Sequence, residues 1–441
     1  MIHEYLVVEQ SLCLQGQTEL FGAKNAVLVI MASLILTDGK SILTNVPASD
    51  DVYQMITLLQ ELGATVSFLP TEHVLEVDTT TINKWKVSPQ VMKKMRASVL
   101  AMGPLLARFG RAEIAMPGGC VIGSRPIDYH LKNFQKMGVI IDMEHELLTA
   151  HCAQLMSRRL VLEYPSVGAT ENILMAATLA PGTTHIINAA LEPEVYDLIT
   201  ILQKMGAHIS VTQPATIIIE GVTRLAAVEH AIIPDRLEAG ALLIAAAITG
   251  GEINLPRARA DHLDLVLLKL EEMGHIIKVG ADGWGIYLKA TSVPRAVSFK
   301  TMPYPGFPTD LQAPMMAAQC LASGTSVIEE TVFENRLLHV PELQKMGAHI
   351  KVDHNKAFIQ GVDQLYGASV IATDIRASCA LVLAGFVATG TTTIAGVHHW
   401  KRGYEALDKK LALLGGRIGY RSIPDHESAV MHMDQAKQIE I

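Results

Sequence analysis

The sequence predicts an α/β protein built from six copies of one unit, set three and three in two domains of similar plan. Three observations carry that prediction. A helix end closed by glycine recurs at Gly63, Gly138, Gly206, Gly274, Gly347 and Gly415, at intervals of 75, 68, 68, 73 and 68 residues. A second series of six helices, apolar nearly all round, lies upstream of the first, and a strand follows each one. The chain of 441 residues is too long for one ordinary core. Its 49% hydrophobic and 18% charged residues are the balance of a folded globular protein.

The glycine series contains one eight-residue identity, LQKMGAHI at 202–209 and again at 343–350. LLQELGATV (58–66), NFQKMGVII (133–141), KLEEMGHII (269–277) and KLALLGGRI (410–418) are variants of it. In each, an amphipathic helix ends in a residue that takes a left-handed conformation at no side-chain cost, and an alternating segment follows as a strand. The apolar series runs AVLVIMASLILTDG, ASVLAMGPLLARFG, ATENILMAATLAPG, AGALLIAAAITGG, LQAPMMAAQCLASG and ASCALVLAGFVATG, closed by Gly39, Gly110, Gly182, Gly251, Gly324 and Gly390. A helix apolar on all sides is buried on all sides. The predicted unit is therefore a buried helix, a strand, an amphipathic helix and one or two strands. A period near 70 is too long for a solenoid repeat.

Composition narrows the function. A net charge of −8 and a pI near 6.1 exclude a general nucleic-acid or anionic-membrane binder. Five cysteines with no CxxC spacing point to a reducing cytoplasm and no zinc site. Apolar runs of about ten residues fall short of a bilayer span, which needs roughly 18, and the N-terminus lacks a signal-peptide layout. The expectation is a cytoplasmic protein with no nucleic-acid partner, no membrane insertion and no metal or other cofactor.

Chemistry recurs in phase with the repeat. Counting back 13 to 15 residues from the closing glycines reaches Lys24, Arg96, Gly168, Glu238, Asp310 and Arg376, where the buried helices begin. A helix N-terminus offers unpaired N–H groups and about half a positive charge, so six such ends facing a cleft between domains would favour anionic substrates. Asp310 and Ser166 read equally well as helix caps. The loop PGGCVIGSRP (117–126) has P-loop-like glycine spacing, but Ser124 and Arg125 replace the required Lys-Ser/Thr. What remains is a thiol, Cys120, near a guanidinium that would lower its pKa. Arg336 and Arg402 stand beside turn residues as candidate anion forks. Cys320 and Cys379 lie inside buried helices as packing, and His398 and His399 beside Trp400 are read the same way.

Ten ordered motifs carry a resemblance: GAKNA, MRAS, GPLLARFG, PGGCxIGxRPID, SVGATEN, PDRxE, YPGFPTDLQA, VFENR, ATDIRAS and RGYE, spread from about residue 20 to about 420. Together they resemble the UDP-N-acetylglucosamine 1-carboxyvinyltransferases, enolpyruvyl transferases of peptidoglycan synthesis. The resemblance implies an inside-out α/β barrel of two domains, each of three βαβαββ repeats around buried helices. It implies one domain over 23–233 and a second over 1–22 plus 234–441. The implied reaction moves the enolpyruvyl group of phosphoenolpyruvate to the 3-hydroxyl of UDP-N-acetylglucosamine and releases phosphate.

The same resemblance assigns residues. Cys120 is the acid or a covalent partner, on a loop that closes as a lid, and Asp310 is the base. Phosphoenolpyruvate falls to Lys24, Asn25, Arg125, Arg336, Arg376 and Arg402. UDP-N-acetylglucosamine falls to Arg96, Arg125, Pro126, Ile127, Asp128, Tyr129, Tyr164, Pro165, Ser166, Val167, Gly168, Asp310 and Val332. Fosfomycin, an epoxide phosphonate, is expected to alkylate Cys120. Leu100, Tyr164 and Leu191 depart from the residues frequent in relatives (Trp, Lys and Arg) and bear on nucleotide affinity. The rival readings are 3-phosphoshikimate 1-carboxyvinyltransferase, which is not expected to have the PGGC and SVGATEN stretches, and a silent UDP-sugar-binding paralogue, against which Lys24, Cys120, Asp310 and Arg402 together argue.

Overall fold

The computed structural model describes residues 2–94, 96–115, 127–144 and 147–424. Among these, contacts divide the chain into two compact units, 2–20 with 235–424 and 21–234. The chain runs from one to the other after Leu20 and after Pro234. The two crossing segments lie side by side, with Gly22 bridged antiparallel to Pro234 and Ala23 N donating to Ile233 O at 2.7 Å.

Each unit holds three helices of the apolar series. In the unit 21–234 these are α1 (Lys24–Ser33), α2 (Met102–Phe109) and α3 (Val167–Ala177). In the other they are α4 (Arg236–Thr249), α5 (Gln312–Gln319) and α6 (Ile375–Val387). Every residue of α5 and all but the first of α6 are buried. That enclosure is what their lack of a polar face requires. Helices α4, α5 and α6 pack on one another, and α2 packs on α3.

Sheets flank the helices. Five of the six sheets among the described residues have four strands, and one has three. The common pattern is the strand after a buried helix, paired antiparallel to a hairpin and parallel to a short strand that precedes a buried helix. Thr183–Ile187 shows it, between Thr216–Glu220 and Arg159–Val161. In the three-stranded sheet the parallel partner shrinks to a single bridge, Lys86 to Glu113. Two short strands pair outside their own sequence order. Gln15–Gln17, which precedes α1, joins Glu252–Arg259, and Glu229–Ala231, which precedes α4, joins Lys40–Thr44.

The repeat is visible in atomic detail. All six glycines that close the amphipathic helices have positive φ, between 89° and 109°. In the two identical octapeptides the same bond forms, Gln203 Nε2 to Ile209 O and Gln344 Nε2 to Ile350 O, each 2.8 Å. The carbonyl before the glycine is claimed in four copies by a later segment: Met137 by Met156, Met205 by Ala226, Met273 by Arg295 and Met346 by Tyr366.

Three expectations are corrected. Gly250, not Gly251, takes the left-handed cap of α4 (φ 71°), while Gly251 is needed because a side chain there would overlap the Leu14 carbonyl. The runs 97–110 and 311–324 are not single helices: 3₁₀ turns, Arg96–Ala101 and Thr309–Leu311, lead into α2 and α5. Pro104 and Pro314 sit in the first turn of these helices, where they offer no N–H and disfavour helical backbone before them. Asp310 caps nothing, because Pro308 holds that place and the Asp310 side chain turns elsewhere. No helix of the described residues is long and apolar enough to cross a membrane.

Candidate active site

In the unit 2–20 with 235–424, three expected residues meet. Asp310 lies in the 3₁₀ turn before α5, Arg376 is the second residue of α6, and Arg336 follows the turn after strand Thr325–Glu329. Arg336 Nη2 reaches Asp310 Oδ1 at 2.6 Å and Arg376 Nη2 reaches Oδ2 at 3.2 Å. The arginine side chains are buried, 3% and 7% exposed, whereas the Asp310 side chain is 26% exposed. Burial pushes the Asp310 pKa up, but the charges of Arg376 and then Arg336, with their hydrogen bonds, outweigh it. The carboxyl is held far below the usual range. Burial likewise pulls Arg376 down, and Asp310 more than offsets that, so Arg376 stays charged.

Each member of the cluster is held by its neighbours. Asp374 caps α6, accepting from Arg376 N (2.8 Å) and Ala377 N (3.1 Å). Arg376 lies 5.2 Å from the Tyr404 ring centroid, and Arg336 lies 5.5 Å from that of Phe333. Arg336 Nε is buried and unpartnered among the described residues, a donor with no acceptor. Val332 N bonds Glu330 Oε1 at 2.8 Å. Arg402, in helix Val397–Gly403, is half-buried.

In the unit 21–234, Lys24 opens α1, buried, with Nζ 3.2 Å from Asp51 Oδ2; Asn25 beside it is exposed. Ile127 is buried just before helix Asp128–Lys136, and Asp128 and Tyr129 are half-buried in its first turn. Tyr164, Pro165, Ser166, Val167 and Gly168 are half-buried where α3 begins, and the Ser166 hydroxyl accepts from Ala169 N. These two helix starts meet at His130. A side chain on Gly168 would touch its ring, and Asn172 Nδ2 lies 3.0 Å from its Nδ1. The same amide donates to Val99 O in the turn Arg96–Ala101 at 3.0 Å and accepts from Gly103 N at 2.7 Å. Cys120, Arg125 and Pro126, and the Arg96 side chain, lie outside the described residues.

The sequence reading missed several side chains. Glu330 is 2% exposed and accepts from Thr301 Oγ1, Thr309 Oγ1, Val332 N and Phe333 N, tying the residue before Asp310 to the turn that leads to Arg336. Its only signal is an acid two places before VFENR. Asn172 and His130 are joined across 42 residues, with no spacing to betray them. Glu238, expected among the helix-start polar residues, is instead ion-paired with Lys410, and both side chains are buried. Cys320 and Cys379 are buried, and burial raises their thiols to about 12 and about 11. Trp400 is 2% exposed, with His398 and His399 ring centroids 4.0 Å apart beside it.

Known proteins share this plan. The model of the EPSP synthase (3-phosphoshikimate 1-carboxyvinyltransferase) family matches residues 8–411. The chain is 48% identical over 412 residues to UDP-N-acetylglucosamine 1-carboxyvinyltransferase 1 of Caldanaerobacter subterraneus subsp. tengcongensis, covering 93% of this chain and 98% of that one. It is 46% identical over 414 residues to the UDP-N-acetylglucosamine 1-carboxyvinyltransferase of Thermodesulfovibrio yellowstonii, covering 94% and 98%. The enolpyruvyl transferase NikO from Streptomyces tendae superposes with a TM-score of 0.87 at 23% identity, covering 96% of this chain and all of the other. An EPSP synthase from Acinetobacter baumannii gives 0.74 at 17% identity, covering 95% and 100%. At that identity the two structures speak for the enolpyruvyl transferase fold alone. With relatives this similar over nearly its whole length, the chain belongs to the UDP-N-acetylglucosamine 1-carboxyvinyltransferases, within the EPSP synthase family.

Proposed function

We propose that this chain transfers the enolpyruvyl group of phosphoenolpyruvate to the 3-hydroxyl of UDP-N-acetylglucosamine, releasing phosphate. The reading is a transferase of peptidoglycan precursor synthesis, acting in the cytoplasm on two small molecules. The observation that carries it within the structure is the convergence of Arg336 and Arg376 on Asp310. Two buried guanidiniums are what a carboxylate substrate needs.

The addition step forms a bond between the sugar 3-oxygen and C2 of phosphoenolpyruvate. Cys120 delivers a proton to the methylene carbon, and Asp310 takes the hydroxyl proton. The tetrahedral ketal then loses phosphate by cleavage of its C2–O bond, with Asp310 returning its proton to the leaving phosphate and the Cys120 thiolate taking back a methyl proton to restore the double bond. Lys24, Arg125 and Arg402 hold the phosphate, and Arg336 with Arg376 the carboxylate. Asn25 flanks Lys24 on the phosphoenolpyruvate side. The turns at Arg96, 126–129, 164–168 and Val332 line the sugar nucleotide.

Asp310 gripped by two guanidiniums has little affinity for a proton. When the carboxylate of phosphoenolpyruvate takes up Arg336 and Arg376, their hold on Asp310 loosens and its proton affinity rises. The acceptor thus becomes a base when the substrate that needs it arrives. The buried, unpartnered Nε of Arg336 supports this, because it leaves a further carboxylate-binding donor at the same residue.

The test is phosphate release from phosphoenolpyruvate with UDP-N-acetylglucosamine, then with shikimate 3-phosphate. Release with the first and none with the second is expected. Release only with the second would move the chain to the sister activity, and none with either would leave a sugar-nucleotide binder.

A further inference from the structure

We infer that Tyr404 is a positioning residue, whose ring face aims the Arg376 guanidinium at the carboxylate of phosphoenolpyruvate. The inference rests on the reading of Arg376 as a carboxylate ligand. Its starting point is how little the main chain fixes. The Asp374 cap anchors Arg376 N at 2.8 Å, but the guanidinium lies four torsions further out. Among the described residues two groups hold it there: the Asp310 carboxylate, 3.2 Å from Nη2, and the Tyr404 ring, whose centroid is 5.2 Å from Cζ. Once the substrate draws Arg376 from Asp310, the ring is the support that stays.

The ring is itself firmly placed. Tyr404 is 6% exposed, and Trp400, one turn earlier and 2% exposed, packs on it with centroids 5.8 Å apart. Gly403 explains the close approach. A side chain at that position would overlap Ile375 Cγ2 in the first turn of α6, so only glycine lets this segment lie against the helix start. The Tyr404 hydroxyl is buried close to Arg376 and Cys379, though without a hydrogen bond of ordinary geometry to either. Arg376 thus lies against the ring and close to its hydroxyl end, and a series that starts from Tyr404→Phe isolates the ring. A cation held over an aromatic face is attracted by the ring quadrupole, and more strongly when both are withdrawn from water. Arg336 over Phe333 is the looser counterpart, at 5.5 Å against a half-buried ring.

The experiment keeps ring shape and changes ring charge. Phenylalanines bearing one, two and three ring fluorines are placed at position 404, with Tyr404→Phe as the reference of the series. KM for each substrate and kcat are read from phosphate release. Fluorine drains the π-face while leaving packing nearly intact, so KM for phosphoenolpyruvate is expected to rise at each step, about tenfold across the series. KM for UDP-N-acetylglucosamine should stay within about twofold. A flat KM for phosphoenolpyruvate across the series overturns the role of Tyr404, because a purely structural ring would give that result. Arg376→Lys separates the two levels. If it raises KM for phosphoenolpyruvate while the fluorine series is flat, the carboxylate reading survives and the Tyr404 proposal falls. If it leaves that KM unchanged, the carboxylate reading falls and this proposal with it.

Discussion

Replacing Asp310 by asparagine tests the proposed coupling most directly, because it removes one charge and nearly no volume. Asp310 Oδ1 and Oδ2 lie 2.6 and 3.2 Å from the two guanidiniums. At an effective dielectric of about 20, each contact is worth roughly 5–6 kcal/mol gross. Desolvation of the three groups offsets most of that. Removing the carboxylate then leaves two buried cations without a counter-ion, at a net cost of about 3 kcal/mol in a site whose carboxylate is partly open. The melting temperature of Asp310→Asn should fall by several degrees. The freed guanidiniums should bind the carboxylate of phosphoenolpyruvate more tightly. Recovery of about half the lost energy tightens binding about tenfold. Turnover should drop by about 10²–10⁴, the usual share of a general base. The assay pairs thermal melts with calorimetric titration of phosphoenolpyruvate, both without UDP-N-acetylglucosamine so that no turnover occurs, and phosphate release with both substrates follows turnover. Tighter phosphoenolpyruvate binding with lost turnover supports the coupling. A variant that binds phosphoenolpyruvate no better than its parent refutes the competition between Asp310 and the substrate carboxylate. Turnover within tenfold of the parent refutes Asp310 as the base.

Other outcomes follow from single residues. Burial first, then the charges of Glu194 and Glu192, raise the Glu171 carboxyl well above its unfolded value of 4.5. Its stabilising effect is therefore complete below about 4.5 and is lost as pH rises toward the folded pKa. Glu171→Gln should melt above its parent at pH 7, with the gap closing toward pH 4; a gap that widens on acidification would contradict this. Gly103→Ala places a methyl 2.5 Å from Asn172 Oδ1, and nearer still to its carbonyl, and should cost about 1–3 kcal/mol by denaturant titration. A stability equal to the parent would mean that α2 and α3 can part freely. Fosfomycin should add its mass to the peptide carrying Cys120, and Cys120→Asp should keep turnover while escaping the drug; an unmodified peptide counts against the acid role. Lys24→Met should raise KM for phosphoenolpyruvate about tenfold or more, as loss of a charge-assisted phosphate contact implies, and an unchanged KM removes Lys24 from that contact.

The fold was legible because it rests on signals that survive in one dimension. Glycine is the cheapest residue at positive φ, so six helix ends declare themselves at a spacing near 70 residues. A helix without a polar face has to be buried, so six apolar runs announce the interior of each unit. What the pattern blurred was local. Pro104 and Pro314 turned two expected helix starts into 3₁₀ turns, and one of those turns carries Asp310. Bonds between side chains have no period. Glu330 binds Thr301 and Thr309 across 29 and 21 residues, and Asn172 binds His130 across 42, so their roles emerge only when the chain is folded.

The helix-start positions show the limit of the sequence most clearly. Counting back from the closing glycines put acids at Glu238 and Asp310, at equivalent places in α4 and the turn before α5, and the count itself gives no reason to treat them differently. In the structure both are ion-paired. Glu238 meets Lys410 with both side chains under 10% exposed. Asp310 meets two arginines yet keeps about a quarter of its surface open. A carboxylate that is bound but still reachable is one that an incoming anion can displace from its cations. On the proposed reading, exposure of the paired side chain, not the presence of charge at a helix start, is what separates the base from the enclosed acid, and exposure depends on where the fold sets the partner, which no count along the chain supplies.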